Sequence, residues 1–459
     1  MKSLIAPERI RILNDATPKG RDYVLYWMQS SHRIEDNPAL AYAIGRANAA
    51  RLPLVVYFGL ATGYPEANIR HIRFMLEGIS DVARSLETPG IRFVLRVEEP
   101  DLGILALAHD AALLVVDRGY LRPERTWYRS VAGRCPCPFV QVEGNSIVPV
   151  QAASEKEEYS AATIRPKITR LLDRFLVPTG EIDHVRSMNA PEFPTLAGEK
   201  PDKILDGMTI DRSVPASTEF TGGSTEAERR FARFLASGLE RFADDRNDPG
   251  TGTASGMSPY LHFGQVSPVT LALRVQDAGG PGSAAFLEEL IVRRELAVNF
   301  VFYNDRHDSF DALPAWAKRT LWSHAEDRRE YVYTRDELER AATHDPYWNA
   351  AQKEMTVTGT MQGYMRMYWG KKILEWSTTP QEAYATALYL NNRYEIDGRD
   401  PNSFAGVAWC FGKHDRPWQE RPVFGMVRYM NAAGLERKFT MNRYVARING
   451  IAGTAPVLS

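Results

Sequence analysis

The chain has 459 residues, of which 44% are hydrophobic and 25% charged, and its formal net charge is −1. This length predicts two or three domains, because one hydrophobic core rarely serves so long a chain. The near-neutral charge excludes a protein that coats nucleic acid through bulk positive charge, although a local basic groove needs only a few arginines and lysines.

The sequence predicts a cytoplasmic protein that does not enter a membrane. No stretch reaches the roughly 18 consecutive apolar residues of a membrane helix, and residues 1–22 lack the apolar run of a signal peptide. Cys135, Cys137 and Cys410 show neither a disulfide framework nor the spacing of a metal site. We therefore expect no bound metal.

The first 150 residues alternate short apolar runs with helical patterns. The runs are too short for helices and rich in Val, Ile, Tyr or Phe, as buried parallel strands are. They predict strands at 23–28, 54–58, 91–95, 113–117 and 139–143, with helices at 37–50, 67–86, 101–109 and 122–132. This alternation predicts a doubly wound, Rossmann-like parallel sheet. The GxGxxG fingerprint of dinucleotide binding is missing after the first strand.

The rest of the sequence is mainly helical. Short helices are predicted at 156–159 and 168–175, whereas 191–223 is rich in Pro, Asp, Thr, Gly and Ser and lacks periodicity. Further helices are predicted at 226–241, 268–276, 284–302, 335–342, 346–357, 363–375 and 380–394. We therefore expect an α/β domain over 1–190, a connection over 191–223 and an all-α domain over 224–459.

Residues 343–418 concentrate tryptophan, tyrosine and arginine to an unusual degree. Trp369 and Trp376 lie seven residues apart in one predicted helix, so their rings point the same way, about 10 Å apart along the axis. That spacing is typical of a packed hydrophobic face and also suits stepwise electron transfer. Spacing alone favours packing.

Arginines in the same half of the chain allow two interpretations. Arg366 lies between two methionines, and if buried it needs a carboxylate partner, which Asp397 or Asp400 could supply. Several basic side chains nearer the C-terminus could contact phosphates, although composition alone favours a solvated surface: Arg416, Arg421, Arg428, Arg437, Lys438 and Arg443.

Several motifs together resemble the photolyase–cryptochrome family, and within it the class II cyclobutane pyrimidine dimer photolyases. The resemblance covers essentially the whole chain and is specific because the motifs occur in the family's order. They are RIEDNPAL at 33–40, SPYLHFGQ at 258–265, RELA at 294–297 with Asn299 and Phe300, the stretch 344–376, and the segments 397–409 and 414–421.

The resemblance implies a doubly wound α/β domain followed by a helical domain that binds FAD. It implies light-driven repair, in which photoexcited FADH⁻ donates an electron to a dimer flipped out of damaged double-stranded DNA. The cyclobutane ring then splits and the electron returns. Extruding the dimer costs a few kcal/mol, less for a lesion that already pairs poorly. A monomer without an obligate protein partner is expected, in the cytoplasm and associated with the nucleoid if the source is prokaryotic.

The resemblance also assigns FAD contacts residue by residue. The loop of Ala254, Ser255, Gly256, Met257 and Ser258 matches the segment that wraps the FAD phosphates, and backbone N–H groups ahead of a helix suit that role. Arg366 and Asp397 match an ion pair over the isoalloxazine, and Asn391 matches the residue that faces flavin N5. Without the resemblance, Asn391 is better explained as a helix-surface side chain.

Lesion contacts and an electron pathway follow from the same resemblance. Glu289 matches the acid that hydrogen-bonds the dimer, and burial would raise its pKa so that it can share a proton. The positions that match the dimer pocket or the lesion strand are Met367, Trp409, Arg246, Arg416 and Trp418. Trp369, Trp348 and Trp376, in that order from the flavin outward, match the class II tryptophan triad that reduces oxidised FAD.

Two positions depart from the family pattern. Phe242 stands where a tyrosine usually contacts an FAD phosphate, so that hydroxyl contact is lost. Val298 replaces a common aspartate, so the hydrogen bond of that aspartate is not expected here. Family members often carry a second, light-harvesting chromophore, either 8-hydroxy-deazaflavin or a folate, in the N-terminal domain. The sequence does not distinguish them.

Two other functions compete with repair. A cryptochrome-like blue-light photoreceptor would use the same FAD and tryptophans, but such proteins often add a C-terminal extension, and this sequence ends soon after Arg447. A flavin- or nucleotide-binding electron-transfer protein is disfavoured by the missing glycine fingerprint.

Overall fold

The computed structural model describes residues 5–17, 22–88, 90–180 and 190–454, and its N-terminal part is built on one six-stranded sheet. The strand order is β1-β6-β5-β2-β3-β4, and all pairings are parallel except β1 with β6. The strands are β1 (Ile10–Ile12), β2 (Tyr23–Trp27), β3 (Leu54–Leu60), β4 (Arg92–Val97), β5 (Ala111–Asp117) and β6 (Phe139–Val142).

Helices cover both faces of this sheet because successive strand residues point to opposite sides. Val24 and Tyr26 face one apolar cluster, whereas Leu25 and Trp27 face another. The helices of this half are α1 (Pro38–Ala50), α2 (Ile69–Glu87), α3 (Pro100–Ala108), α4 (Arg122–Ala132), α5 (Val150–Ala153), α6 (Ala161–Thr169) and α7 (Leu172–Phe175). The doubly wound architecture is therefore confirmed.

The second half is largely helical, as expected. Its elements are α8 (Pro201–Asp206), α9 (Ser224–Ser237), α10 (Phe242–Asp245), α11 (Ser258–His262), α12 (Pro268–Ala278), α13 (Ser283–Leu287), α14 (Arg294–Tyr303), α15 (Ala315–Ser323), α16 (Arg335–Glu339), α17 (Pro346–Thr358), α18 (Gly363–Trp376), α19 (Pro380–Tyr394), α20 (Pro401–Cys410), α21 (Ala432–Glu436) and α22 (Met441–Thr454). A π-helical segment, Glu288–Arg293, joins α13 to α14. Among the described residues, no helix is long and apolar enough to cross a membrane.

Several predicted elements differ from the structure. Residues 156–159 form no helix, because Asn299 of α14 satisfies their backbone: its Oδ1 accepts from Glu158 N at 2.7 Å and its Nδ2 donates to Lys156 O at 2.9 Å. The connection over 191–223 contains α8, and the predicted helix at 284–302 is interrupted by the π-helical segment. The domain boundaries stay predictions, and residues 181–189 beside the first boundary lie outside the described residues.

The first turn of α2 ties the two halves together. Arg70 is 1% exposed, and its guanidinium donates to Met355 O at 3.2 Å, Tyr394 O at 2.7 Å and Thr356 O at 2.7 Å. These carbonyls lie at the C-terminal ends of α17 and α19, where helices leave carbonyl groups without intrahelical partners. Burial lowers the pKa of Arg70 to about 10, so it stays charged at neutral pH.

His71 adds a second tie at the same point. Its Nδ1 accepts from Asn68 N at 3.2 Å, so Nε2 carries the hydrogen and donates to Glu395 O at 2.9 Å. Burial lowers the pKa of His71 well below its usual value and keeps the ring neutral. The end of α19, where the predicted flavin residues begin, is therefore positioned by the N-terminal half.

Candidate functional site

The three predicted electron-transfer tryptophans lie together inside the helical half. The Trp348 and Trp369 rings are parallel within 6° at a centroid distance of 6.5 Å, and Trp376 lies 5.7 Å from Trp348. Each is at most 2% exposed. Trp348, from α17, therefore lies between two residues of α18, which is the expected order, while electron transfer through the rings stays a prediction.

Hydrogen bonds fix the orientation of this stack. The indole N–H of Trp348 donates to Trp369 O at 3.0 Å, and that of Trp369 donates to Gln352 Oε1 at 2.8 Å. Asp345 caps α17 by accepting from the backbone N–H groups of Tyr347 and Trp348. The orientation of the rings is therefore determined by the helix cap and by two indole N–H hydrogen bonds as well as by apolar packing.

Aromatic contacts continue from Trp376 to the surface. Trp376 lies 5.4 Å from Tyr333 and 5.2 Å from His344. The Tyr333 hydroxyl lies 2.7 Å from His344 Nδ1, and Tyr331, which is 40% exposed, stacks on His344 at 3.8 Å. Sequence reasoning missed this extension because its members lie on a loop without periodicity.

Arg366 has a different ion-pair partner from the one expected. Its Nη2 lies 2.7 Å from Glu395 Oε2, and neither Asp397 nor Asp400 forms that pair. Asp400 instead caps α20 and lies 3.2 Å from His262 Nδ1. The reason is local: Glu395 directly follows α19, and its buried carboxylate faces α18.

Apart from Glu395 Oε2, which lies in the ion pair with Arg366, three buried polar atoms around Arg366 have no hydrogen-bond partner among the described residues. They are Arg366 Nε, Asn391 Oδ1 and Asp397 Oδ1. The other end of the Asn391 amide donates to Ser403 Oγ at 2.6 Å, which fixes its orientation. Buried polar groups are rarely left unpaired, so this cluster fits a polar ring system that supplies both donors and acceptors.

Electrostatics in this cluster favour a positive Arg366. Burial lowers the arginine's pKa, but the adjacent Glu395 and Asp397 outweigh it, and the net direction is upward. Burial, and next Asp397, raise the pKa of Glu395 to about 8, while Arg366 opposes this. Arg366 is thus a fixed cation whose charge is offset by the neighbouring carboxyl groups.

The loop over 254–258 leads into α11, as a phosphate-binding loop would. Gly256 has φ 67°, a left-handed conformation that favours glycine, and a Cβ there would lie 3.4 Å from the Phe220 ring. Met257 packs in an apolar cluster with Phe242, whose ring contacts Phe234 and Phe286. This loop and the Trp369 stack thus belong to different clusters of the helical half.

Glu289 lies on the π-helical segment and is paired with Arg246. Its Oε1 is 2.8 Å from Arg246 Nη1, and the glutamate side chain is 42% exposed. The burial considered for Glu289 is therefore not present in this structure. Arg246 is positioned in turn by Gln362, whose amide donates to Arg246 O at 2.6 Å. π-Helical segments are frequent at functional sites.

The remaining lesion-facing candidates divide into two places. The Met367 sulfur lies 3.9 Å from Cys410 Sγ. The half-buried Trp409 ring lies beneath the Arg293 guanidinium, 5.5 Å from its central carbon. Trp418, which is 40% exposed, is flanked by Arg416 at 5.3 Å and Arg428 at 5.1 Å. Arg428 was only one of several basic candidates in the sequence.

Comparisons with known proteins give one consistent result. A family model described as DNA photolyase matches residues 24–187. A deoxyribodipyrimidine photo-lyase of Methanothermobacter thermautotrophicus is 53% identical over 453 residues, which are 98% of this chain and 99% of that protein. Another, from Oryza sativa subsp. japonica, is 41% identical over 469 residues, 97% of this chain and 91% of that protein.

Solved structures extend this similarity to the fold. The archaeal photolyase of Sulfolobus tokodaii has a TM-score of 0.69 and 15% sequence identity, and the match covers 94% of each chain. That structure contains two FAD molecules and implies a novel light-harvesting cofactor.

Proposed function

Since the chain belongs to the photolyase–cryptochrome family, we propose that it is a class II cyclobutane pyrimidine dimer photolyase that repairs DNA in the light. Light-driven repair is supported by relatives named deoxyribodipyrimidine photo-lyase that match nearly the full length. The observation that carries the finer proposal is the buried stack of Trp369, Trp348 and Trp376 on α17 and α18, since α18 also carries Arg366. We expect a monomer that acts on nucleoid DNA in the cytoplasm.

The residues around Arg366 fit a flavin. Arg366 Nε can donate to it, and the oxygens of Asn391 and Asp397 can accept from its ring N–H groups, which would satisfy the three unpartnered atoms. The loop of 254–258 would bind the FAD phosphates through backbone N–H groups. When bound, reduced FAD supplies light absorption and the electron that splits the dimer.

The protein's own groups bind and orient the lesion. Met367 and the Trp409 ring offer apolar surface for an extruded dimer, and base–aromatic stacking of this kind is worth about 1–3 kcal/mol per base. Without DNA, the Glu289 carboxylate is paired with Arg246. When DNA binds, Arg246 would turn to a phosphate, and Glu289 would then hydrogen-bond the polar edge of the dimer. Trp418, between two arginines, would fill the space that the dimer leaves in the duplex.

A second chromophore would bind at the carboxyl ends of β2 and β3. Doubly wound sheets bind ligands at this edge, and a cavity there is lined by aromatic side chains together with one arginine and one glutamate, Glu124. The lining includes Phe58, Tyr64, Trp127, His262, Phe263 and Arg399. A flat conjugated ring fits this surface, either 8-hydroxy-deazaflavin or a folate, and Arg399 would stabilise a negative charge on it. The light-harvesting cofactor implied for the Sulfolobus protein supports the same role.

One assay tests the proposed function directly. The purified protein with reduced flavin is illuminated with a duplex that contains one cyclobutane dimer, and intact pyrimidines are counted by chromatography. We expect dimers to disappear in the light and not in the dark. Persistence of the dimers in the light would leave the cryptochrome-like photoreceptor, with the same flavin and tryptophans, as the better explanation.

A further inference from the structure

Two arginines share one glutamate beside the proposed lesion pocket. Arg165 of α6 binds Glu288 with both ends of its guanidinium, Nη2 to Oε1 at 2.7 Å and Nε to Oε2 at 3.2 Å. Arg293 approaches the same Oε1 at 3.2 Å through Nε. The three side chains together carry one net positive charge, since a carboxylate neutralises only one of two guanidinium groups.

This triad faces the same place as the lesion candidates. Glu288 and Arg293 begin and end the π-helical segment, and Glu289, the next residue along, pairs with Arg246. The Arg293 guanidinium lies over the Trp409 ring. The triad therefore lies at the rim of the surface where the dimer is proposed to stack.

The two arginines retain capacity for another anion. Arg165 is 43% exposed and Arg293 33%. Among the described residues, the Nη atoms of Arg293 have no hydrogen-bond acceptor. Its buried Nε lies close enough to Glu288 for an ion pair, but the angles do not make a hydrogen bond. A guanidinium binds phosphate oxygens through two parallel N–H groups, which makes phosphate the fitting ligand.

We propose that Arg293 and Arg165 bind backbone phosphates of the DNA strand that carries the lesion, a role that rests on the proposed function. Arg293, in contact with Trp409, binds the phosphate next to the extruded dimer. Arg165, farther from that ring on α6, binds a neighbouring phosphate of the duplex. Glu288 holds both arginines in place without DNA and limits their attraction to undamaged duplex.

Three substitutions separate these roles. Equilibrium affinities are measured for a dimer-containing duplex and the matching undamaged duplex over a series of salt concentrations. Arg165→Gln should weaken binding of both duplexes about tenfold, which is the effect expected from losing one charge-assisted hydrogen bond. It should also reduce the slope of log K against log salt by about 0.9, as expected for one lost phosphate contact. Arg293→Gln should weaken the damaged duplex more than the undamaged one.

The glutamate supplies a test of opposite sign. Glu288→Gln frees the two guanidinium groups, so both duplexes should bind more tightly and the preference for damage should fall. Arg274→Gln is the matched control, because Arg274 on α12 also pairs with a glutamate, Glu228, and is 31% exposed. That variant should leave affinity and salt slope unchanged.

Flavin content and melting temperature establish that each variant is folded, and the Arg→Lys variants, which keep the charge without the two-pronged geometry, should recover part of the affinity. Wild-type affinities and salt slopes in both Arg→Gln variants would overturn the phosphate role and leave the triad as a tie between α6 and the π-helical segment. A wild-type protein that binds no damaged DNA would instead refute the proposed function itself.

Discussion

Replacing Trp348 by phenylalanine tests whether the tryptophan stack conducts electrons. The change removes part of a buried ring and its hydrogen bond to Trp369 O. We estimate a stability cost of about 1–3 kcal/mol from the smaller volume and the lost indole hydrogen bond. This is less than the roughly 5–15 kcal/mol that stabilises a typical folded protein, so the variant should stay folded and retain FAD.

The electronic effect should be much larger than the structural one. With Trp348 present, the longest centroid separation along the stack is 6.5 Å. Without it, an electron must pass directly between Trp376 and Trp369, which lie two turns apart on α18, about 10 Å along the axis. Photoreduction of oxidised FAD by an external thiol should therefore slow strongly, as followed by the loss of blue absorption under illumination.

Repair by enzyme that is reduced chemically beforehand should remain close to the wild-type level, because the role proposed for the stack is only to reduce the flavin. Trp27→Phe is the control, since Trp27 is equally buried but lies in β2 within the sheet. Photoreduction at the wild-type rate in folded Trp348→Phe would show that the rings are only packing.

Three further substitutions test the neighbouring chemistry. Glu289→Ala should lower the yield of dimer splitting per absorbed photon while flavin content stays normal, and an unchanged yield would remove its proposed role. Arg366→Met should lower the FAD content of the purified protein, measured by absorbance, because Glu395 and Asp397 lose their cation; full occupancy would argue against a flavin contact. Burial raises the pKa of Glu295 to about 8 from 4.5, so the folded protein keeps a proton that the unfolded chain releases. Stability from this site therefore falls as pH rises from about 4.5 to 8, by up to about 1.4 kcal/mol per pH unit. Glu295→Gln should flatten the melting temperature over that range, and an unaltered slope would contradict the assignment.

Much of the fold could be predicted because its signals are local. The five parallel strands are buried apolar runs, and their predicted bounds lie within two residues of the observed ones. β1 was missed because it has three residues at the sheet edge, two of them exposed. The helix expected at 156–159 was wrong because Asn299, more than a hundred residues away, takes its backbone hydrogen bonds.

The candidate site depended more on tertiary contacts. Spacing placed Trp369 and Trp376 on one face of a helix, but only the packing of α17 against α18 brings Trp348 between them. The partner of Arg366 was misassigned because sequence order does not say which way a side chain points where α19 ends. The pairing of Arg165 with Glu288 joins residues 123 positions apart and leaves no pattern in the sequence.

The buried Arg70 has a consequence for how this protein can be re-engineered. Since its hydrogen bonds to the ends of α17 and α19 set the relative position of the two halves, the covalent connection does not act as a spacer. At Gly198, an added Cβ would meet no atom within 4 Å. A peptide inserted there should therefore leave the relative position of the two halves unchanged. Two separately expressed polypeptides, cut at that glycine, should for the same reason reassemble into one photoactive particle.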